Sequence, residues 1–154
     1  MDGPFTKLHH VCVVVRDIDA AQAFYESVGI GPWIDYPPLG EYTALDVPDP
    51  DGFRALKYRY AWVGQQQWQL CEPGPGDTPQ RRFLEERGEG VFHVGFEVPD
   101  ADAAERQVAV APLMRGRREN GSGFTYFDTA AQAGVILEIR QSPPGAQPLP
   151  YGST

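Results

Sequence analysis

The chain has 154 residues, 42% of them hydrophobic and 22% charged, with a formal net charge of -8. That length suits one domain with a sizeable core, and the acidic balance argues against a nucleic-acid or anionic-membrane surface. No apolar run approaches the ~20 residues that span a bilayer, the opening MDGPFTKLHH lacks the basic-then-apolar plan of a signal peptide, and Cys12 and Cys71, the only two cysteines, make no disulfide framework. A cytoplasmic protein without a membrane partner is expected.

In chain order, Leu8 to Val15 is β-branched and reads as a strand. Asp17 or Asp19 is positioned to cap a helix whose apolar face carries Ala20, Ala23, Phe24 and Val28, and Gly29 and Gly31 stop it. Short strands are predicted at Trp33 to Tyr36 and Glu41 to Val47, followed by a Pro/Asp-rich turn from Pro48 to Gly52. Phe53 to Val63 and Gln65 to Glu72 read as a hairpin around Gly64. Thr78 or Asp77 caps a helix over Pro79 to Arg87. A strand from Val91 to Val98 and a helix from Pro99 to Val108 follow. Three more strands are predicted at Leu113 to Arg118, Phe124 to Asp128 and Val135 to Arg140. The Pro/Gly-rich stretch over 143–154 reads as an extended tail.

Two stretches are nearly the same. HVCVVVRDIDAA begins at His10 and HVGFEVPDADAA at His93, aligned by one gapless 83-residue shift. The similarity carries from a strand through a turn into a helix start, which marks an internal repeat. The expected architecture is therefore α+β: two βαβββ modules in one domain over 1–142, the first about 5–75 and the second about 88–142.

Alternation along a strand sends neighbours to opposite faces. His10, Cys12 and Val14 share a face, as do His93, Gly95 and Glu97, so the two repeat histidines sit on equivalent sides of equivalent strands. A pseudo-twofold would let them meet across one cavity. Gln65, Gln67, Gln69 and Cys71 share a face of the first module's last strand, and Ile136, Glu138 and Arg140 do so in the second. A carboxylate framed as GVILEI needs a partner, because an unpaired buried charge is costly. A metal is one such partner.

On the stretches LHHVCVVVRDIDAAQAFYESVG, QWQLCEPGPGDTPQRRFLEERGEGVFHVGFEV and AGVILEIRQ, the chain resembles the vicinal-oxygen-chelate superfamily. That superfamily includes glyoxalase I, methylmalonyl-CoA epimerase, extradiol dioxygenases and bleomycin-resistance proteins; the second stretch looks most like the epimerase. The resemblance implies a U-shaped mixed sheet around a metal site. It also implies one ligand from the first and last strand of each half: His10, Gln69, His93 and Glu138. Gln65 and Gln67 compete with Gln69 on the same face. Two imidazoles, an amide oxygen and a carboxylate suit one divalent ion such as Zn, Co, Ni or Mn, with Fe less suited.

The implied activity is a lyase or isomerase that moves a proton next to a carbonyl, resembling methylmalonyl-CoA epimerase or lactoylglutathione lyase. The substrate would be a small molecule, an acyl-CoA thioester or a hydroxy-carbonyl compound, and the assembly a homodimer. Glu138 is a candidate base, as in glyoxalase I. The epimerases use a glutamate near a Pro-Glu turn; here VPDPDGFR holds aspartates instead, so Asp51 is the nearest candidate. His9 reads as a solvent or bracing group and Cys12 as a buried thiol. Arg115, Arg117 and Arg118 form either a phosphate or carboxylate clamp or a solvated basic turn. Trp33, Tyr36, Phe124 and Tyr126 are candidate pocket walls. An Fe(II) dioxygenase and a drug-sequestering protein are the alternatives.

Overall fold

A computed structural model describes residues 2–146; residues 147–154 of the expected tail lie outside the described residues. Nine strands form one mixed sheet: β1 (Leu8–Val14), β2 (Ile34–Asp35), β3 (Ala44–Asp46), β4 (Lys57–Val63), β5 (Gln66–Glu72), β6 (Gly90–Glu97), β7 (Pro112–Arg117), β8 (Gly123–Phe127) and β9 (Ile136–Gln141). Their order across the sheet is β2-β4-β5-β1-β6-β9-β8-β7-β3. The mirrored halves β2-β4-β5-β1 and β6-β9-β8-β7 are the two βαβββ modules. They join edge to edge through the antiparallel β1–β6 pair, while β1 pairs β5 and β6 pairs β9 in parallel.

The repeat in sequence is a repeat in local structure. Asp17 caps α1 (Ile18–Ser27) by accepting from the backbone N–H of Ala20, and Asp100, 83 positions later, caps α4 (Ala101–Gln107) through Ala103 in the same way. Between them lie α2 (Pro50–Arg54) and α3 (Pro79–Arg87), the latter capped by Thr78. A four-residue helix, α5 (Ala130–Ala133), which the sequence did not suggest, precedes β9.

Three expectations are corrected. The residues Ala20, Ala23, Phe24 and Val28 are the outward face of α1, with Phe24 64% and Val28 60% exposed. The cap at Asp17 sets the helical phase so that Ile18, Ala21 and Tyr25 pack against Val13, Val15, Leu70 and Trp68 instead. The strand predicted from Phe53 begins only at Lys57. Asp49 caps a short helix over Pro50–Arg54 by accepting from Gly52 N–H, which withdraws Phe53 from any strand. Finally, β3 leaves its own module and pairs with β7 of the other, Leu45 opposite Gly116. Residues 36–43 thereby pass from beside β4 at one rim of the sheet to beside β7 at the other, with Leu39–Glu41 forming one 3-10 turn.

Packing follows this layout. The concave side holds Cys12, Val14, Phe53, Leu56, Cys71, Phe92, Met114, Phe124, Tyr126 and Ile136. On the convex side, α1 covers the first module, and α4 covers the second through Ala101 and Ala104 against Phe127 and Ile139. The inside of the U is thus walled at its base and open towards the rim.

Candidate metal centre and substrate cavity

Strand parity brings the predicted histidines together. His10 of β1 and His93 of β6 face the concave side near the module seam, and β9, paired in parallel beside β6, adds Glu138 opposite Gly95. All three side chains are buried: His10 is 2% exposed, His93 1% and Glu138 5%. Their ligand atoms converge, with His10 Nε2 2.9 Å from His93 Nε2 and 3.1 Å from Glu138 Oε2, and His93 Nε2 2.8 Å from the same oxygen.

These separations fit a metal. An ion about 2.0–2.2 Å from each ligand atom, with ligands about 90° apart, needs ligand–ligand distances of about 3 Å. The donor chemistry agrees. His9 Nδ1 lies 2.8 Å from His10 Nδ1, and a proton carried there by His10 leaves its Nε2 as a bare lone pair. A carboxylate only accepts. Lone pairs that face one another at this spacing are jointly satisfied by one cation.

The fourth expected ligand, Gln69, is 3% exposed and lines the same chamber. Its Nε2 donates to Gln67 Oε1 at 2.8 Å, so its carbonyl oxygen is the atom it has to offer. Gln67 is also buried, but it stands opposite His10 in register and lines the outer cleft.

Electrostatics favour the ligating forms of His10 and Glu138. Burial lowers the pKa of His10, against the pull of Glu138. Burial raises Glu138, but His10 and His93 outweigh it and hold the carboxyl well below its usual range. His9 is pushed down to about 2, by burial first and the Arg140 guanidinium next. Arg140 Nη1 stands 3.2 and 3.0 Å from the two His9 ring nitrogens. His9 is therefore a buried neutral ring that braces His10. Cys12 is a buried thiol, its pKa raised first by burial. Tyr126 packs its ring 4.6 Å from that of His93.

One position is made for this arrangement. Gly95 stands opposite His10 in register. A Cβ built on it would clash with the His10 imidazole, closest to Cε1 and Nε2, with even Nδ1 only 2.6 Å away. The place a side chain would take is where the ligand ring sits.

His10 and Glu138 line an inner chamber of ≈ 40 Å³, beside an outer cleft of ≈ 870 Å³ that none of the triad lines. Tyr36, Phe124 and Tyr126 line the chamber as expected, joined by Tyr42, Phe53 and Tyr58, which the sequence did not single out. Trp33 does not; it packs 5.6 Å from Tyr25 beneath α1. Asp51 also stays away. It sits in the first turn of α2 with its side chain fully exposed, 3.5 Å from Arg54, and lines neither cavity. Phe53 is the member of that turn that faces the chamber.

The arginine turn splits by parity. Arg115 and Arg117 point to α4, where Arg115 bonds Glu105 at 3.0 Å and Arg117 bonds Asp102 at 2.8 Å and Thr125 at 3.0 Å. Arg118 alone turns inward. Arg140 does so as well; its signal in the sequence was its place two residues beyond Glu138 on one face.

Comparison with known proteins agrees with this geometry. The family model of the Glyoxalase/Bleomycin resistance protein/Dioxygenase superfamily matches residues 9–119. The mitochondrial methylmalonyl-CoA epimerase of Bos taurus is 25% identical over 142 residues, covering 88% of this chain and 74% of the relative. That of Homo sapiens is 23% identical over the same coverage. Among solved structures, methylmalonyl-CoA epimerase from Mycobacterium tuberculosis superposes with a TM-score of 0.68 at 22% identity, over 94% of this chain and 93% of that one. A methylmalonyl-CoA epimerase in complex with methylmalonyl-CoA and NH4+ reaches 0.67 at 23% identity, over 91% and 96%. A buried His/His/Glu triad at the seam of two repeated modules and a family match across most of the chain lead to one conclusion: the chain belongs to the glyoxalase/bleomycin resistance protein/dioxygenase superfamily, with methylmalonyl-CoA epimerases among its relatives.

Proposed function

We propose that the protein is a divalent-metal-dependent isomerase or lyase that transfers a proton next to a carbonyl, in the manner of a methylmalonyl-CoA epimerase or a lactoylglutathione lyase. The observation that carries this reading is the convergence of His10, His93 and Glu138 within 3.1 Å of one another at the base of a substrate-sized cup. These three side chains and the Gln69 oxygen would hold one ion, Zn, Co, Ni or Mn. Bound there, the ion supplies Lewis-acid stabilisation of the negative charge that develops on a carbonyl oxygen as the neighbouring carbon loses its proton.

The chain's own residues do the rest. The aromatic walls exclude water from a small chamber and leave room for only the reacting end of a substrate. The outer cleft has the volume for a larger group, such as the body of an acyl-CoA thioester. Glu138 is the one carboxylate among the described residues that line the chamber. It is therefore the proton acceptor we assign, a role it can fill only when it lets go of the metal during turnover. Asp51, exposed and outside both cavities, has no such reach.

Four ligands leave fewer open positions than an extradiol dioxygenase needs, and a sequestering protein needs no ligand set; both alternatives are less well supported. A homodimer, one module edge packed against its partner's, is the expected assembly. A cytoplasmic setting is expected from the sequence.

Elemental analysis of untagged protein, beside His93→Ala, tests the reading. About one Zn, Co, Ni or Mn per chain, lost in the variant, is expected, together with metal-dependent deuterium exchange into an acyl-CoA or hemithioacetal substrate. A chain that takes up none of these ions sinks it.

A further inference from the structure

We propose that Arg118 and Arg140 form an oxyanion-binding throat between the inner chamber and the outer cleft, which takes a carboxylate or phosphate group that the substrate carries away from its reacting carbon. The proposal rests on the functional reading above in placing that substrate in the chamber.

Position is the first argument. Arg118 and Arg140 each line both the chamber and the cleft. They reach this passage from opposite places in the second module. Arg140 projects from β9 on the same face as Glu138, and Arg118 follows the end of β7, beside the rim-to-rim crossing of residues 36–43. A molecule with one end at His10 and Glu138 and its bulk in the cleft must pass both guanidinium groups.

Charge is the second. The walls of the two cavities carry three cations, Lys7, Arg118 and Arg140, and three carboxylates, Glu41, Glu97 and Glu138. On a chain of net charge -8, acid does not outnumber base here. Once Glu138 is spent on a dication, the cup is positive overall, and a positive field in a low-dielectric cleft draws anions.

The third argument is the supply of unspent donors. A guanidinium offers five N–H groups. Arg115 and Arg117, a few residues before Arg118, spend theirs on tight bonds of 2.8–3.0 Å to Glu105, Asp102 and Thr125. The contacts of Arg118 are all long: 3.4 Å to Glu41, 3.4 Å to Ser122 Oγ and 3.3 Å to Tyr42 OH. Its carbon Cζ lies 4.6 Å over the Tyr42 ring, which supports the flat face and leaves the donor edge to turn. Arg140, 14% exposed at its side chain, has one acidic partner, Glu97 at 3.2 Å, and that carboxylate also accepts from Ser142 N–H at 2.9 Å. The rest of its contacts are to the neutral His9 ring and, at 3.4 Å, to Ser142 Oγ. Two guanidinium groups facing one passage, Arg118 with loosely held donors and Arg140 with a single acidic partner that is itself shared, match a planar or tetrahedral oxyanion.

The test uses the full chain, both metal-free, so that no ion competes for the anion, and metal-loaded, so that the cup carries its positive charge, titrated separately with succinate and inorganic phosphate by calorimetry at low salt. Saturable binding of one anion per chain is expected. It should weaken about tenfold or more in Arg118→Gln and likewise in Arg140→Gln, the size of a lost charge-assisted hydrogen bond. Tighter binding of succinate assigns the throat to a substrate carboxylate, and tighter binding of phosphate assigns it to a phosphoryl group. Arg118→Gln, which removes no hydrogen bond to the triad and is only partly buried, keeps the test valid if Arg140→Gln folds poorly. Neither anion binding to the native chain, or equal binding by the native chain and both variants, overturns the proposal. Metal uptake is measured on the same samples. Arginine-dependent anion binding without metal uptake would remove the functional reading and leave the throat; metal uptake without arginine-dependent anion binding would do the reverse.

Discussion

Replacing Gly95 by alanine puts the metal centre under a perturbation that the structure sizes directly. The new Cβ would overlap the His10 ring, closest to Cε1 and Nε2, and even Nδ1 would be only 2.6 Å from it, whereas carbon–heavy-atom contacts settle at about 3.5 Å. The imidazole must therefore shift by roughly 1 Å, as the separation deficit requires. A metal–nitrogen bond of about 2.0–2.1 Å does not stretch that far, so His10 is lost as a ligand or the strand deforms. Disturbing the support of a ligand typically lowers metal affinity about 10–100-fold, and Gly95→Ala should reach at least that. The overpacking should also cost about 1–3 kcal/mol of stability. Competition against a chromophoric chelator reads the affinity, and thermal unfolding of the metal-free chain reads the strain. Adding His10→Ala to the variant removes the ring that the methyl strikes. The double variant should then recover much of the lost stability but none of the metal affinity, a non-additivity that belongs to residues in contact. Native-like metal affinity in Gly95→Ala would refute the placement of His10 against Gly95.

The remaining predictions concern pH and the excluded base. His9 and His10 are buried with folded pKa values below the ordinary histidine value of 6.5, His9 pushed down to about 2. The unfolded chain therefore binds more protons below pH 6.5, so the stability of the metal-free protein is full above that value and falls as pH drops towards the folded values. The slope should be about 1.4 kcal/mol per pH unit for each histidine, read by urea unfolding between pH 7.5 and 5; a flat profile there contradicts the buried neutral rings. Asp51→Asn should leave metal uptake and proton exchange unchanged and alter stability by less than about 0.5 kcal/mol, as for an exposed surface group. A collapse of exchange activity in that variant would return Asp51 to the role of base.

Much of this protein was legible in its letters, because two of its rules are local. The period-2 alternation of a strand fixed that His10, His93, Gln69 and Glu138 each share a face with predictable neighbours, and the 83-residue repeat paired the two histidines before any coordinates. The caps at Asp17, Thr78 and Asp100 are local as well, each a side chain three residues from the amide it serves. What escaped were questions of phase and of distant partners. In α1 two apolar stripes overlap in the sequence, and only the sheet beneath selected Ile18, Ala21 and Tyr25 over Phe24 and Val28. Asp49 could end a turn or cap a helix, and the cap that formed turned Phe53 inward and left Asp51 in solvent.

The sequence by itself determined the two-module plan, the helix starts and the ligand types, since these follow from neighbours along one chain. Tertiary structure alone decided that β3 crosses to the other module, that Arg118 faces the cup while Arg115 and Arg117 are tied to α4, and that the atom missing from Gly95 makes room for His10. Each of these depends on which element packs beside which. That is set by the closing of the whole sheet, where residues far apart in sequence compete for the same space and the same hydrogen bonds.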